Sequence, residues 1–571
     1  MKRVTERRWQ LRKPDEDQVM QVSSACGIDD FLARILVNRG VGPAIAPSFL
    51  APSFAELHDP FLLRGMENAV VRLLAALENN ERICIYGDYD VDGITSVALL
   101  VTFFRSIGAD CIYHIPKRLE DGYGLAEEGI RTAVSQGARI IISVDCGVTA
   151  VAEAELCSRL GVDLIITDHH MPAAVLPAAV AVINPLQPGC PFPFKQLAGV
   201  GVAFNLLIAL RSRLRETGYF DRVPEPNLRE FLDLVALGTI ADVVPLVDEN
   251  RIFARYGLQE MSNSTRTGLI ALKNVAGVSG TVTCGGVGFR LAPRLNAAGR
   301  LEDAALGVEL LLCGEPRNAV DMAQTLDMSN RERQALEQEI LREALAMIKE
   351  DRRLSGRKSI VLASETWHPG VIGIVASRMV DLYHRPTVLI ALQDGSGRGS
   401  GRSIPNFHLH DALRACSSHL VAFGGHKHAA GLTIDEATLE EFIEMFDEIA
   451  AGSLAEADLS PELYIDAELA PDAATLRLAE VIETLAPFGM GNPEPVFVMR
   501  RLAVMDRRIV SDAHLKLRLS AGSRIFEAIG FNMAGSITVP RIADVAFTLQ
   551  VNDWNGRKSL QLRLKDVKEA A

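Results

Sequence analysis

Between residues 80 and 245 the chain alternates short, wholly apolar runs with longer runs whose apolar positions recur every three or four residues. The short runs "RICIY" (82–86), "ARIIISV" (138–144) and "VDLIIT" (162–167) predict buried strands. The runs "GITSVALLVTFFRSIG" (93–108) and "TAVAEAELCSRLG" (149–161) predict the helices between them. Such alternation is the mark of a parallel, doubly wound α/β sheet. "LREFLDLVALGTIADVVPL" (228–246) reads as a helix running into a loop.

Beyond it the pattern changes twice. Residues 317–353 contain no Gly or Pro, and Leu336, Ile340, Ala344 and Met347 keep helical spacing. This predicts a long linking helix, with two packed helices bent near Ser329 as the alternative. A second α/β block follows at about 356–452. In it "KSIVLASE" and "RPTVLIAL" are strands and a helix starts near Val371. Its "DGSGRGSGRSIPNF" is the kind of Gly/Ser/Arg stretch that mostly forms flexible loops. After residue 462 short alternating runs, with "NDWNGRKS" as a hairpin turn signal, predict about five strands in a small β-barrel.

At 571 residues, 48% apolar and 23% charged, the chain has the composition of a multidomain globular protein. Its net charge of −13 argues against a protein coated in nucleic acid, though not against a local basic channel. From Val496 onward there are 13 Lys and Arg against 7 Asp and Glu, a local balance of +6. No apolar run is long enough for a membrane span, and the basic start "MKRVTERRWQLRK" lacks the apolar stretch of a secretory signal. Nine cysteines occur without a C-x-x-C pair, and Cys84, Cys111 and Cys146 lie in apolar surroundings. They read as core residues in a reducing cytoplasm, and zinc is not expected.

Acidic residues recur where the predicted strands end. "RICIY" runs into Asp88, Asp90 and Asp92, "ARIIISV" into Asp145, and "VDLIIT" into Asp168, His169 and His170. Asp242 follows another apolar run. The strands of a parallel sheet point one way, so these groups collect at one edge, where ligand sites lie. Carboxylates so crowded need compensating charge, and hard divalent cations supply it. An oxygen-rich set with a few imidazoles suits Mg²⁺ or Mn²⁺, and a pair of ions is the usual device for attacking phosphoryl bonds. A single D-x-D or His-His is mostly a turn, cap or surface feature; three strand ends acting together are harder to reach by accident.

The motifs "DYDVDGITS", "SVDCG", "TDHH" and "GTIADVVPL" resemble, in order and spacing, those of the DHH phosphoesterase superfamily. "HPGVIGIVASR", "SGRS" and "FGGHKHAAG" resemble its companion DHHA1 domain. With the length and the C-terminal barrel, the chain is similar to the superfamily's single-strand-specific 5′→3′ DNA exonucleases. The resemblance implies an α/β DHH domain with a parallel sheet (61–315) after an N-terminal segment (1–60). It then implies a linking helix (316–354), a smaller α/β DHHA1 domain (355–455) and an OB-like β-barrel (460–571).

By position, it implies that Asp90 ligates one metal and Asp92 the other. Asp145 would bridge the two ions, His169 would bind the second, and Asp242 would complete the cage. His170 then either supports the metal ligands from behind or acts on the transition state. Tyr86 stands where many members have a ligand histidine, and Asp88 is the residue able to take over that ligation. For the 5′-terminal phosphate the resemblance implies Ser400, Arg402, Arg118 and Arg300, with Asn296 at the scissile group. His368 opens a predicted helix whose free N–H groups attract phosphate, although Pro369 and Gly370 equally serve as helix-start punctuation. His426 belongs to a Gly-rich turn that suits a backbone contact with the strand, or only a tight turn. Arg500, Arg501, Arg507, Arg508, Lys516 and Arg518 supply charge for a backbone track.

The function implied is metal-dependent degradation of single-stranded DNA to 5′-mononucleotides in recombination and repair, by a monomer. Partners would be a single-strand-binding protein and a helicase. Two rivals stand beside it. One is a phosphodiesterase of the same superfamily acting on short oligonucleotides or cyclic dinucleotides, against which the +6 tail argues. The other is a catalytically dead binding protein, which would show a broken metal set.

Overall fold

The computed structural model describes residues 6–116, 124–301, 303–351, 356–535, 537–554 and 557–570. The chain forms two compact units, one of residues 43–331 with 485–493 and one of residues 1–42, 332–484 and 494–571.

In the first unit five parallel strands form a sheet: β1 (Ile83–Tyr86), β2 (Cys111–His114), β3 (Ile140–Val144), β4 (Asp163–Thr167) and β5 (Ala181–Ile183). The order across the sheet is β2-β1-β3-β4-β5. Every residue of β1 and β3 is buried, which is why they read as unbroken apolar runs. The chain goes from β1 outward to β2 and returns to β3 on the opposite side, so the order reverses between β1 and β3. Ligand sites form beyond the carboxyl ends of strands at such a switch point. The helix Val91–Ser106 leaves β1 and is buried nearly all round, packed on the helices Gly199–Glu216 and Leu232–Ala241.

The same unit holds a returning piece of distant sequence. Arg251 is buried and donates to the carbonyls of Phe49 (2.7 Å), Leu485 (2.9 Å), Ala486 (3.2 Å) and Pro487 (3.4 Å). Its guanidinium lies 3.8 Å from the centre of the Phe49 ring. Carbonyl dipoles and a ring face thus stand in for a carboxylate, and burial still lowers its pKa to about 9.

The linking segment is one helix, Pro316–Glu350, with no division near Ser329. In the second unit, β6 (Ile360–Ser364), β7 (Thr387–Gln393), β8 (Ser396–Arg402), β9 (Ala422–Gly425) and β10 (Ala429–Asp435) form a mixed sheet in the order β9-β10-β8-β7-β6. The glycine-rich stretch expected to be a loop is the central strand β8. Its composition alternates for a reason. A Cβ on Gly397, Gly399 or Gly401 would come within 2.9 Å of Ile390, Leu432 or Leu409 respectively, so that face has room only for hydrogen. Arg398, Ser400 and Arg402 occupy the alternate positions and face the other way.

The last strands are β11 (Phe497–Val510), β12 (His514–Ala521), β13 (Arg524–Gly530), β14 (Ile542–Trp554) and β15 (Arg557–Glu569). They pair in the order β11-β12-β13-β15-β14 and close through β14 on β11. The expected hairpin joins β14 to β15, with Trp554 opposite Arg557, and its two turn residues lie outside the described residues. Phe497, Phe526 and Phe547 fill the barrel, while Phe531 is exposed. Much of the basic surface is internally paired: Arg500 with Asp544, Arg508 with Asp506, and Lys516 and Arg518 with Glu527. Four of the six basic residues assigned to the track are therefore already engaged with carboxylates.

Candidate active site

The acidic loop after β1 is fixed by backbone hydrogen bonding. Asp90 caps the helix Val91–Ser106, one oxygen accepting from the N–H groups of Asp92 (2.9 Å) and Gly93 (3.3 Å). The Asp92 carboxylate in turn accepts from the N–H groups of Gly199 (2.6 Å) and Val200 (2.8 Å), at the start of the helix Gly199–Glu216. That helix end presents partial positive charge to it. A Cβ on Gly199 would stand 2.6 Å from Asp145 Oδ1, so only glycine lets this helix reach both carboxylates. Asp145, just beyond β3, sits in the left-handed region at φ 60° and is buried.

Three overlapping groups converge there. Asp88, Asp90 and Asp145 each offer an oxygen within 4.8 Å of the others; Asp92, His169 and Asp242 do the same, as do Asp145, His169 and His170. His169 Nε2 is 3.1 Å from Asp145 Oδ1, 3.6 Å from Asp242 Oδ2 and 3.9 Å from Asp92 Oδ2. It is buried and makes no hydrogen bond, while the ring is held through the Leu197 backbone. An imidazole nitrogen aimed at three carboxylates without sharing a proton is placed as a ligand atom. The donor set fits hard divalent cations such as Mn²⁺ or Mg²⁺.

Protonation follows from the crowding. Burial, then the charge of Asp90, pushes the Asp92 carboxyl up to about 7. Burial and the charges of Asp92 and Asp90 push Asp242 up to about 9. Asp145 is driven well above the usual range by burial and then by Asp92, Asp90, Asp242 and Asp88. Burial, then the neighbouring His170 charge, lowers His169 to about 4, so its ring is neutral and its lone pair available. His170 is the reverse case. Burial opposes its charge, but the Asp168 hydrogen bond (2.8 Å) and the surrounding carboxylates raise it to about 9. Burial likewise opposes ionisation of Asp168, and hydrogen bonds from His170 and from the Val148 N–H outweigh it, holding that carboxyl low. A site that favours protons on its carboxylates gains most from cations that displace them.

The remaining expected residues fall in two places. Asn296, on the helix Ala292–Leu301, accepts through Oδ1 from the Val91 N–H (3.2 Å), directly behind Asp90; Arg300 lies one turn further on. Arg118 lies outside the described residues. In the second unit, Arg402 donates to Ser400 Oγ (3.1 Å). A Cβ on Gly373 would stand 2.7 Å from Ser400 Oγ and 3.0 Å from Arg402 Nη2, so the first turn of the helix Ile372–Tyr383 rests on this pair. His368 precedes that helix and accepts from the Gly370 N–H (3.1 Å). His426 is exposed in the turn between β9 and β10, at the end of the sheet where Arg402 pairs with Ala429. A guanidinium, a hydroxyl and a helix N-terminus side by side are equipped to hold an anion.

Tyr86 is fully buried; its hydroxyl accepts from the Ala126 N–H (3.2 Å), so it supports the helix Glu127–Ser135. Asp88, by contrast, supplies an oxygen to the first group. Sequence reading passed over Asp168 as an orienting partner, although it opens the "DHH" triplet.

The DHH family, N-terminal domain, matches residues 82–239, the DHHA1 domain residues 356–452, and the RecJ OB domain residues 465–566. The chain is 38% identical to the single-stranded-DNA-specific exonuclease RecJ of Bacillus subtilis over 98% of its own length and 70% of the relative's. It is 38% identical to that of Escherichia coli over 98% and 99%. The crystal structure of RecJ in complex with Mn²⁺ from Thermus thermophilus superposes with a TM-score of 0.84 at 33% identity, covering 99% of this chain and 80% of that one. The Mg²⁺ complex gives 0.79 at 32%. The chain therefore belongs to the RecJ family of single-stranded-DNA-specific exonucleases.

Proposed function

We propose that the protein is a metal-dependent exonuclease that degrades single-stranded DNA from its 5′ end to 5′-mononucleotides, in recombination and repair. The observation that carries this is the convergence of Asp92, Asp145 and Asp242 on His169 Nε2, with Asp88 and Asp90 grouped on the same Asp145. Asp88 and Asp90 would hold one ion, Asp92, His169 and Asp242 the other, and Asp145 both. Two such ions, when bound, supply Lewis acidity and a nucleophile at neutral pH.

The chain's own residues do the rest. His170, charged against Asp168, offsets negative charge gathering on the phosphate and can return a proton to the departing 3′-oxygen. Breaking the P–O3′ bond releases a nucleoside 5′-phosphate and leaves a new 5′-phosphate on the strand. Ser400 and Arg402 grip that terminal phosphate, with His368, Arg118 and Arg300 as further contacts. Asn296 steadies the backbone beside Asp90, and His426 touches the strand through its turn. The closed barrel supplies a basic surface for the strand.

Single-strand-binding protein and a helicase are the partners this reading implies, with the chain acting as a cytoplasmic monomer. No described helix is long and apolar enough to cross a membrane. The working division for truncations is 1–60, 61–315, 316–354, 355–455 and 460–571.

The test is a product and polarity assay with end-labelled, 5′-phosphorylated single strands, with and without Mn²⁺, beside pApA. We expect metal-dependent release of a 5′ label as mononucleotide from the earliest time point, with a 3′ label retained on a shortening strand. Faster turnover of pApA than of the long strand would favour the short-oligonucleotide reading instead.

A further inference from the structure

Val243 combines two features that the fold does not reward. Its φ is 61°, in the left-handed region, and it is 66% exposed. A β-branched side chain in that region meets its own backbone, and an exposed apolar one gains nothing from burial. The other described non-glycine residues at positive φ are Asn80, Asp145, Asp248, His384, Asp394, Arg501, Ser511, Asp512 and Asn532. None of these is β-branched. Asn or Gly at position 243 would relieve both faults.

The residue's neighbours suggest what the valine is for. It directly follows Asp242, whose Oδ2 is 3.6 Å from His169 Nε2. Met171 directly follows His170 and is 62% exposed. Two exposed apolar residues thus adjoin Asp242 and the His169–His170 pair along the chain, next to a site otherwise built of charge.

We infer that Val243 and Met171 form an apolar lip that contacts the unpaired base beside the scissile phosphate. The inference rests on the function proposed above and identifies the part of the substrate which that site reads. Carboxylates and imidazoles deal with the phosphate; an apolar side chain next to them meets the only apolar part of a nucleotide, the base face and sugar. In a duplex the base faces are covered by their stacked neighbours, so only an unpaired strand can offer one. Apolar contact carries no hydrogen-bond pattern and accepts every base, as an enzyme that consumes a strand nucleotide by nucleotide requires.

The experiment uses full-length Val243→Asn, Val243→Ala and Met171→Ala with Mn²⁺, on 5′-phosphorylated thymidine strands, either intact or carrying one abasic residue at the first, second or third position. On intact strands each variant should lose about tenfold in kcat/KM, the scale expected for one lost apolar contact. One abasic position flanking the scissile phosphate should cost the wild type a similar factor and the Val243 variants nothing further. Val243→Asn should melt no lower than wild type, because asparagine tolerates left-handed backbone. Equal fold-losses on intact and abasic strands assign these residues to the fold and overturn the inference, as does undiminished turnover of intact strands. A wild type that fails to cut the intact strand overturns the exonuclease reading itself, a result distinct from either.

Discussion

In the parallel sheet β1–β5 the reactive groups sit beyond the strands, on the loops where Asp88–Asp92, Asp145 and Asp168–His170 emerge. In the mixed sheet β6–β10 they sit on a strand itself, Ser400 and Arg402 alternating with glycines along β8. The first arrangement gathers like charges that cannot remain together unaided, so the site is built around something it must bind. The second holds its guanidinium in place through Ser400 Oγ and the Gly401 carbonyl, so its geometry is fixed within the strand itself. On the proposed function, one region holds electrostatic stress that cations would relieve, and the other would be a pre-built cradle.

The largest effect expected from that difference is at Asp145. Asp145→Asn removes one of the mutually repelling carboxylates while keeping a residue that tolerates φ 60°. Turnover of single-stranded DNA should fall by about 10⁴-fold or more. The metal-free protein should nevertheless melt at the same temperature or a few degrees higher, roughly what 1 kcal/mol gives in a unit of this size. Mn²⁺ should raise the melting temperature of the wild type by mass action and leave the variant unmoved. Calorimetric scans with and without Mn²⁺ decide it; a variant that melts lower without metal would mean the carboxylates are not stressed.

Arg402 comes next. Replacing it by Ala should lower kcat/KM by about 100-fold on a 5′-phosphorylated strand, the scale of one lost bidentate charged contact, and little on a 5′-hydroxyl strand. Lysine should not restore the rate, since it cannot hold both Ser400 and a phosphate in a planar fork. A uniform loss on both strands would remove the cradle from the comparison and leave β8 a structural strand.

How far each region was legible in the sequence follows the same divide. The strand-end carboxylates announced themselves because parallel strands are unbroken apolar runs, and whatever follows them is at the ligand edge. The single helix Pro316–Glu350 was legible from its spacing and its lack of Gly and Pro. β8 was not. Its period of two is carried by Gly against Arg and Ser, a pattern that looks like a loop until Ile390, Leu432 and Leu409 are seen filling the glycine side. The internal pairing of the barrel's basic residues was equally hidden, because Arg500 meets Asp544 only through the register of β11 on β14. Backbone conformation was least legible of all: nothing in "ADVVPL" marks Val243 as left-handed.

The smallest effect isolates burial from mutual repulsion within the first unit. Glu249 is a buried carboxylate outside the cage, accepting from the His58 N–H (2.8 Å) and from Asn205 Nδ2 (3.1 Å), with the His58–Asp248 hydrogen bond alongside. Burial raises its pKa to about 7, against hydrogen bonds from Asn205 and His58 that lower it. The folded protein then holds this proton more tightly than the unfolded chain does. Stability from the group is present below the unfolded carboxyl pKa and is lost as pH rises toward 7. Glu249→Gln fixes the neutral form, so the wild type should lose about 3 kcal/mol relative to the variant between pH 4.5 and 8, several degrees in Tm. The cage carboxylates add mutual repulsion to the same burial, so Asp145→Asn should gain on the wild type over the same pH range and, unlike Glu249→Gln, lose that advantage when Mn²⁺ is present. If Mn²⁺ narrows both gaps alike, the stress at the cage is no more than the ordinary cost of burying a carboxylate, and the two regions differ in charge sign alone.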